Sequence, residues 1–116
     1  MLRHPVGLPA LALSLALAAA PLPGAAEELD FSEDFMSDMT NIRDGREHFQ
    51  AQCGHCHGSR AYPGKAPRLR PERYEPDFVY WVIQGGYGRM PAFDEHFTHD
   101  ETMQIVAWIK SNLFSH

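Results

Sequence analysis

The pentapeptide Cys53-Gly54-His55-Cys56-His57 constrains this chain more than any other feature. Two cysteines two residues apart, with a histidine directly after the second, read as a covalent c-type haem attachment site. The chemistry sets the spacing. Two sulfurs must reach two vinyl groups of one porphyrin as thioethers, and the next residue must turn an imidazole onto the iron from the same side. These are the only two cysteines among 116 residues, so the motif uses the whole thiol count. Three other readings compete. A thioredoxin-type pair belongs in an alternating strand–helix context, and no β-rich stretch precedes Cys53. A structural zinc site takes four ligands; His55 and His57 would crowd a metal, and there is no second cysteine pair. A plain disulfide leaves His57 without a purpose.

Residues 1–26 have the form of a secretory signal peptide. Arg3 and His4 make a short basic start, residues 8–20 are apolar apart from Pro9 and Ser14, and Gly24-Ala25-Ala26 is a small-residue cleavage site. An uncleaved anchor competes, since no charge falls between Pro5 and Ala26 and that length can cross a bilayer. The alanine and proline content, and Glu27-Glu28 directly after the site, favour cleavage. No cysteine lies there for lipid attachment. Export to the periplasm suits a covalent haem, whose attachment in bacteria is completed outside the cytoplasmic membrane, and it leaves no membrane span.

Cleavage leaves residues 27–116, too short for a large core unless a buried haem supplies its apolar centre. Without Arg3, nine basic groups face fifteen acidic ones, a net charge of −6 that argues against a nucleic-acid partner. The charge is uneven. Residues 27–40 form an acidic arm, read as extended or weakly helical on the surface, ahead of a domain spanning 41–116. Arg60, Lys65, Arg68, Arg70 and Arg73 cluster after the cysteine motif.

Helical signals dominate that domain. A first helix is expected from about Ile42 to Gln52, capped by Asn41 or Thr40, with Ile42, Gly45, Phe49 and Cys53 on one face. Gly45, costly inside a helix, implies close approach by another element. Residues 58–76 read as loop. A second helix is expected from about Asp77 to Gln84, with Pro76 at its start and Gly85 as a left-handed stop. The last helix opens on a Thr98–Glu101 capping box and carries a stripe of Ile105, Val106, Ile109 and Leu113, with Trp108 at its edge. No strand is convincing, so the fold class is all-α.

His57 is the expected proximal iron ligand. A methionine opposite it would raise the potential, as in electron carriers. Met36 and Met39 lie on the acidic arm, and Met103 reads as core. Met90 sits on a glycine-rich loop and is stiffened by Pro91, so it is favoured; His96 and His99 are the alternatives, read as solvated surface groups.

Gly45-x-x-x-Phe49-x-x-x-Cys53-x-x-Cys56-His57, Gly64-Lys65-Ala66-Pro67-Arg68-Leu69, Met90-Pro91-Ala92-Phe93 and Ile105-Val106-Ala107-Trp108-Ile109 together resemble the small monohaem class I cytochromes c. The resemblance covers nearly all of residues 42–114. It implies three to four helices around one covalently bound haem c, with iron held by His57 and Met90. It also implies that the Pro67 carbonyl accepts the Nδ1 proton of His57, and that Gly45 and Phe49 cross the last helix near Trp108. Arg68, Arg70, Arg73, Tyr74 and Trp81 become candidate donors to the haem propionates. Only 32 residues separate His57 from Met90, fewer than in many relatives, which leaves one haem edge relatively open.

The function expected on this basis is a monomeric periplasmic one-electron carrier, not an enzyme. It would shuttle between a periplasmic dehydrogenase as donor and a terminal oxidase or another cytochrome as acceptor. One alternative is a cytochrome subunit held tightly by a larger oxidoreductase, such as a quinoprotein alcohol dehydrogenase. Another is a haem sensor for small ligands, for which no extra distal histidine–arginine arrangement is evident.

Overall fold

The computed structural model describes residues 27–61 and 63–114, with positions 2, 7, 12 and 14–19. Most of the expected signal peptide, including its Gly24-Ala25-Ala26 cleavage site, lies outside the described residues. Among those described, the regular elements are helical: α1 (Glu33–Ser37), α2 (Met39–His48), a π-helical turn (Phe49–Cys53), α3 (Gly54–His57), a 3-10 turn (Pro71–Arg73), α4 (Pro76–Gly85) and α5 (His99–Ser111). The sole strand-like pairing among them is an isolated bridge between Tyr87 and Met90. The all-α expectation holds.

The first long helix starts earlier than its apolar periodicity suggested. Asp38 takes an extended conformation, and its Oδ1 accepts from the Thr40 and Asn41 amides at 2.8 and 3.1 Å. A carboxylate there answers both orphan donors and the helix dipole, so Thr40 and Asn41 lie inside the helix. The Asn41 side chain donates back to the Phe35 carbonyl at 3.2 Å and ties α1 to α2.

Helices α2 and α5 form the centre of the core. A Cβ at Gly45 would run into the Gln104 carbonyl and come within 2.9 Å of the Ile105 nitrogen, so the two backbones touch at this residue. Phe49, 1% exposed, lies beside the crossing and meets Trp108 with ring centroids 4.5 Å apart. Trp108 is itself buried, further inward than the stripe's edge. Around them pack Ile42, Ile105, Val106, Ala107 and Ile109, with Met103 fully in the core as its position implied. The Thr98–Glu101 box has both of its bonds, at 2.9 and 3.2 Å. The helix stops at Asn112, φ +57°, so Leu113 falls beyond it and is exposed.

Helix α4 begins on Pro76 and runs one residue past Gln84, because Gly86 and not Gly85 takes the positive φ that ends it. Tyr80 and Ile83 face the core, while Phe78 and Trp81 face outward.

The acidic arm is bound more firmly than its charge suggested. Leu29, Phe31, Phe35 and Met36 pack against the core. His99, expected to be a solvated surface group, is its clasp. The Glu28 carbonyl accepts from Nε2 at 3.1 Å, and the Tyr80 hydroxyl and the Glu27 carboxylate lie 2.8 and 3.6 Å from Nδ1. Burial, and then the Glu27 carboxylate, push the Tyr80 pKa up and keep that hydroxyl protonated.

Candidate cofactor site

The cysteine motif sits where α2 runs through a widened turn into α3. Local sequence explains the shape. Phe49 anchors the π-helical turn in the core, and Gly58, at φ +85°, ends α3 directly after His57. Cys53 is buried and Cys56 exposed, and the two sulfurs are not joined to each other. Burial, with a smaller contribution from Cys56, pushes the Cys53 thiol up to about 12. Cys53 is therefore not the accessible thiolate of low pKa that serves as the nucleophile of a dithiol redox centre.

His57 is half-buried, and its ring centroid lies 6.2 Å from that of Phe49. Its Nδ1 is fully buried without a formed hydrogen bond. Burial pulls the imidazole pKa down, and the neighbouring Pro67 carbonyl partly offsets this. The proximal loop brings Pro67 there. The Ala66 amide donates to the Cys56 carbonyl at 2.8 Å. A Cβ at Gly64 would strike that same carbonyl and come within 2.6 Å of the His57 carbonyl carbon, so only glycine lets the loop lie this close.

Met90 is partly buried and packs against the core from the far end of α4. Its backbone exchanges hydrogen bonds with Tyr87 at 2.9 and 3.0 Å, and the Phe93 amide donates to the Ile83 carbonyl at 2.9 Å. The other candidate ligands are placed elsewhere. Met36 and Met103 serve packing, Met39 is 65% exposed, His96 is exposed and His99 holds the arm. Arg68 and Arg70 line a cavity of about 260 Å³ with Leu69, Pro71, Glu72 and Asn112. Arg73 is exposed; Trp81 is 60% exposed and sets its ring edge-on to Tyr80 at 5.1 Å. Tyr74 stacks on Phe78 with centroids 5.6 Å apart.

The structure thus draws Cys53, Cys56, His57 and Pro67 into one cluster, and holds Met90 on a separate segment tied to α4. Sequence reasoning missed Lys110. Its ammonium donates to the Pro71 and Tyr74 carbonyls at 2.8 and 2.6 Å. No local signal marks it, because its partners lie 39 and 36 residues away.

Residues 40–109 match the family model described as cytochrome C oxidase, cbb3-type, subunit III. The chain belongs to this family of c-type cytochromes. It is similar to cytochrome c-L of Methylorubrum extorquens, 29% identical over 76% of this chain and 49% of that protein. It is also similar to the cytochrome c subunit of 4-cresol dehydrogenase [hydroxylating] from Pseudomonas putida, 29% identical over 60% of this chain and 59% of that subunit. The cytochrome therefore spans only about half to three-fifths of these curated relatives. Among solved structures, cytochrome CL of Methylophaga aminisulfidivorans superposes with a TM-score of 0.59 at 26% identity, over 66% of this chain and 58% of that one. The c-type cytochrome NirC shares the fold, with a TM-score of 0.54 at 21% identity over 68% of this chain and 99% of that one. The fold is that of a small class I cytochrome c in an electron-carrier family that carries haem c.

Proposed function

We propose that this cytochrome carries one haem c, attached through Cys53 and Cys56 and ligated by His57 and Met90, and that it is an exported one-electron carrier. The observation that supports this most is the buried, unbonded Nδ1 of His57 beside the Pro67 carbonyl. A proximal imidazole needs that environment, because a carbonyl backing one nitrogen orients the ring and makes the other a better donor to iron. Two thiols, an imidazole and a thioether suit haem c, so the residues present fit the group. When bound, the haem supplies a reversible one-electron couple.

The chain's own residues do the rest. Cys53 and Cys56 fix the group covalently, and Phe49 closes the apolar floor beside His57. Met90 would hold the iron as its second protein ligand and so deny it to small ligands, which argues against a sensor. Arg68, Arg70 and Trp81 are proposed partners for the propionates. Residues 1–26 are proposed to direct export to the periplasm and to be removed there. Among the described residues no helix is long and apolar enough to cross a membrane.

Extraction of the denatured protein with acidified acetone tests attachment. Haem retained by the polypeptide supports it, and haem released into the solvent defeats it. The near-infrared sulfur-to-iron band of the oxidised protein tests Met90. It should be present in the wild type and absent in Met90→Ala.

The donor is proposed to be a periplasmic dehydrogenase, and the acceptor a terminal oxidase or another cytochrome. A second reading, a tightly held dehydrogenase subunit, draws on the likeness to the 4-cresol dehydrogenase cytochrome subunit. Gel filtration of the natively expressed protein separates the two. Elution as a monomer fits the free carrier, and co-elution with a dehydrogenase polypeptide fits the subunit.

A further inference from the structure

From the chain of contacts that runs from α5 through the 3-10 turn and α4 to Tyr87, we infer that Lys110 is a positioning residue for Met90, acting through a ladder of three aromatic rings. The inference rests on the proposal that Met90 ligates the iron.

The ladder can be followed contact by contact. The Lys110 ammonium, in the last turn of α5, grips the Pro71 and Tyr74 carbonyls at 2.8 and 2.6 Å. These charge-assisted bonds pin the 3-10 turn and place Tyr74. The Tyr74 ring stacks on Phe78 at 5.6 Å and 17°. Phe78 meets Tyr87 edge-on at 6.3 Å and 70°. Tyr87 then exchanges two backbone hydrogen bonds with Met90, at 3.0 and 2.9 Å.

Two further observations assign this ladder to positioning and not to core stability. The rings are 40%, 45% and 70% exposed at Tyr74, Phe78 and Tyr87, so they bury little area compared with Phe49 at 1%. The chain between α4 and Met90 also has little stiffness of its own, since Gly86 and Gly88 sit at φ +78° and +57°. A segment of that kind is held by what it leans on. The Phe93–Ile83 bond anchors it downstream of Met90, and the ladder braces it upstream. Cutting the Lys110 bonds frees the turn, then the Tyr74–Phe78 stack, and lets Met90 leave the iron more often.

The test is the second-order rate of cyanide binding to the oxidised, haem-loaded protein, read beside the near-infrared sulfur band. Cyanide enters only when the methionine is away, so the rate reports lability in a fully folded protein. Lys110→Met is expected to raise the rate roughly two- to thirty-fold, the range typical of network coupling. Lys110→Arg should restore it, because a guanidinium fork can serve both carbonyls. Phe78→Leu should raise the rate too, and Lys110→Met should add nothing in the Phe78→Leu background. An unchanged rate in Lys110→Met, or independent multiplication of the two effects, overturns the inference. If Lys110→Met does not mature, Phe78→Leu and Tyr87→Leu pose the same question, and independent effects there overturn it equally. A band that survives Met90→Ala defeats the ligation itself. A band lost in Met90→Ala, with Lys110→Met and Phe78→Leu at the wild-type rate, defeats only the positioning role.

Discussion

The α2–α5 crossing and the α4–Met90 side of this cytochrome are held by different physics. At the crossing two backbones touch through Gly45, and Phe49 and Trp108 are sealed from solvent. On the other side, rings lie half-exposed and a glycine-rich turn is held by a few hydrogen bonds. The first arrangement resists any change of volume. The second can yield locally without loss of the fold, which would suit the proposed role of the segment in presenting Met90. Stability should therefore concentrate at the crossing and ligand lability at the Met90 side.

The largest effect is expected at Phe49. Removal of a fully buried aromatic costs about 3–5 kcal/mol, and Phe49→Ala also strips the Trp108 and His57 rings of their neighbour. Denaturant unfolding of the haem-loaded protein measures this. A loss below about 1 kcal/mol would mean that the crossing is not the stability centre.

Gly45→Ala comes next, and here two effects oppose each other. Alanine is favoured over glycine in a helix interior by about 1 kcal/mol. The added carbon, however, meets the Gln104 carbonyl, which belongs to a helix backbone and cannot swing aside. Overpacking of a tight site costs about 1–3 kcal/mol, so a net loss is expected in the same unfolding experiment. A gain in stability would show that α2 and α5 can separate without penalty.

How far the chain could be read before its structure follows the same division. The crossing was readable because its devices are local and periodic: a glycine and a phenylalanine four residues apart, and the Thr98–Glu101 box, both of whose bonds form. The grouping of Cys53, Cys56 and His57 was readable for a similar reason, since one short motif places all three. Contacts between residues distant in sequence were not. Lys110 reaches back 36 and 39 residues, and His99 reaches 71 residues to hold the arm. A lysine in a last turn and a histidine after a capping threonine look like ordinary surface residues until the fold brings their acceptors up. The start of α2 was misjudged because Asp38 resembled one more charge in an acidic run, whereas it is the cap.

Asp38→Ala tests that cap. The two amides it serves would be left to water, at a cost of about 1 kcal/mol, within a typical range of 0.5–2. The loss should appear in unfolding and also as faster hydrogen exchange at Thr40 and Asn41. Unchanged exchange at those amides would return the helix start to Asn41 or Thr40.

Tyr87→Ala should have the smallest effect on stability and the most revealing one. Its ring is 70% exposed and contributes only an edge contact to Phe78. Its bonds to Met90 are made by backbone, which the substitution leaves in place. Little apolar area is at stake, so at about 25 cal/mol per Å² the loss should stay below about 1 kcal/mol. The unfolding midpoint should thus move far less than in Phe49→Ala. If the two sides divide as described, the same variant should bind cyanide faster than wild type, whereas Asp38→Ala, which costs comparable stability, should not. A Tyr87→Ala protein as unstable as Phe49→Ala would place the Met90 side within the core. Equal cyanide rates in Tyr87→Ala and Asp38→Ala would show that lability tracks global stability and not the local brace.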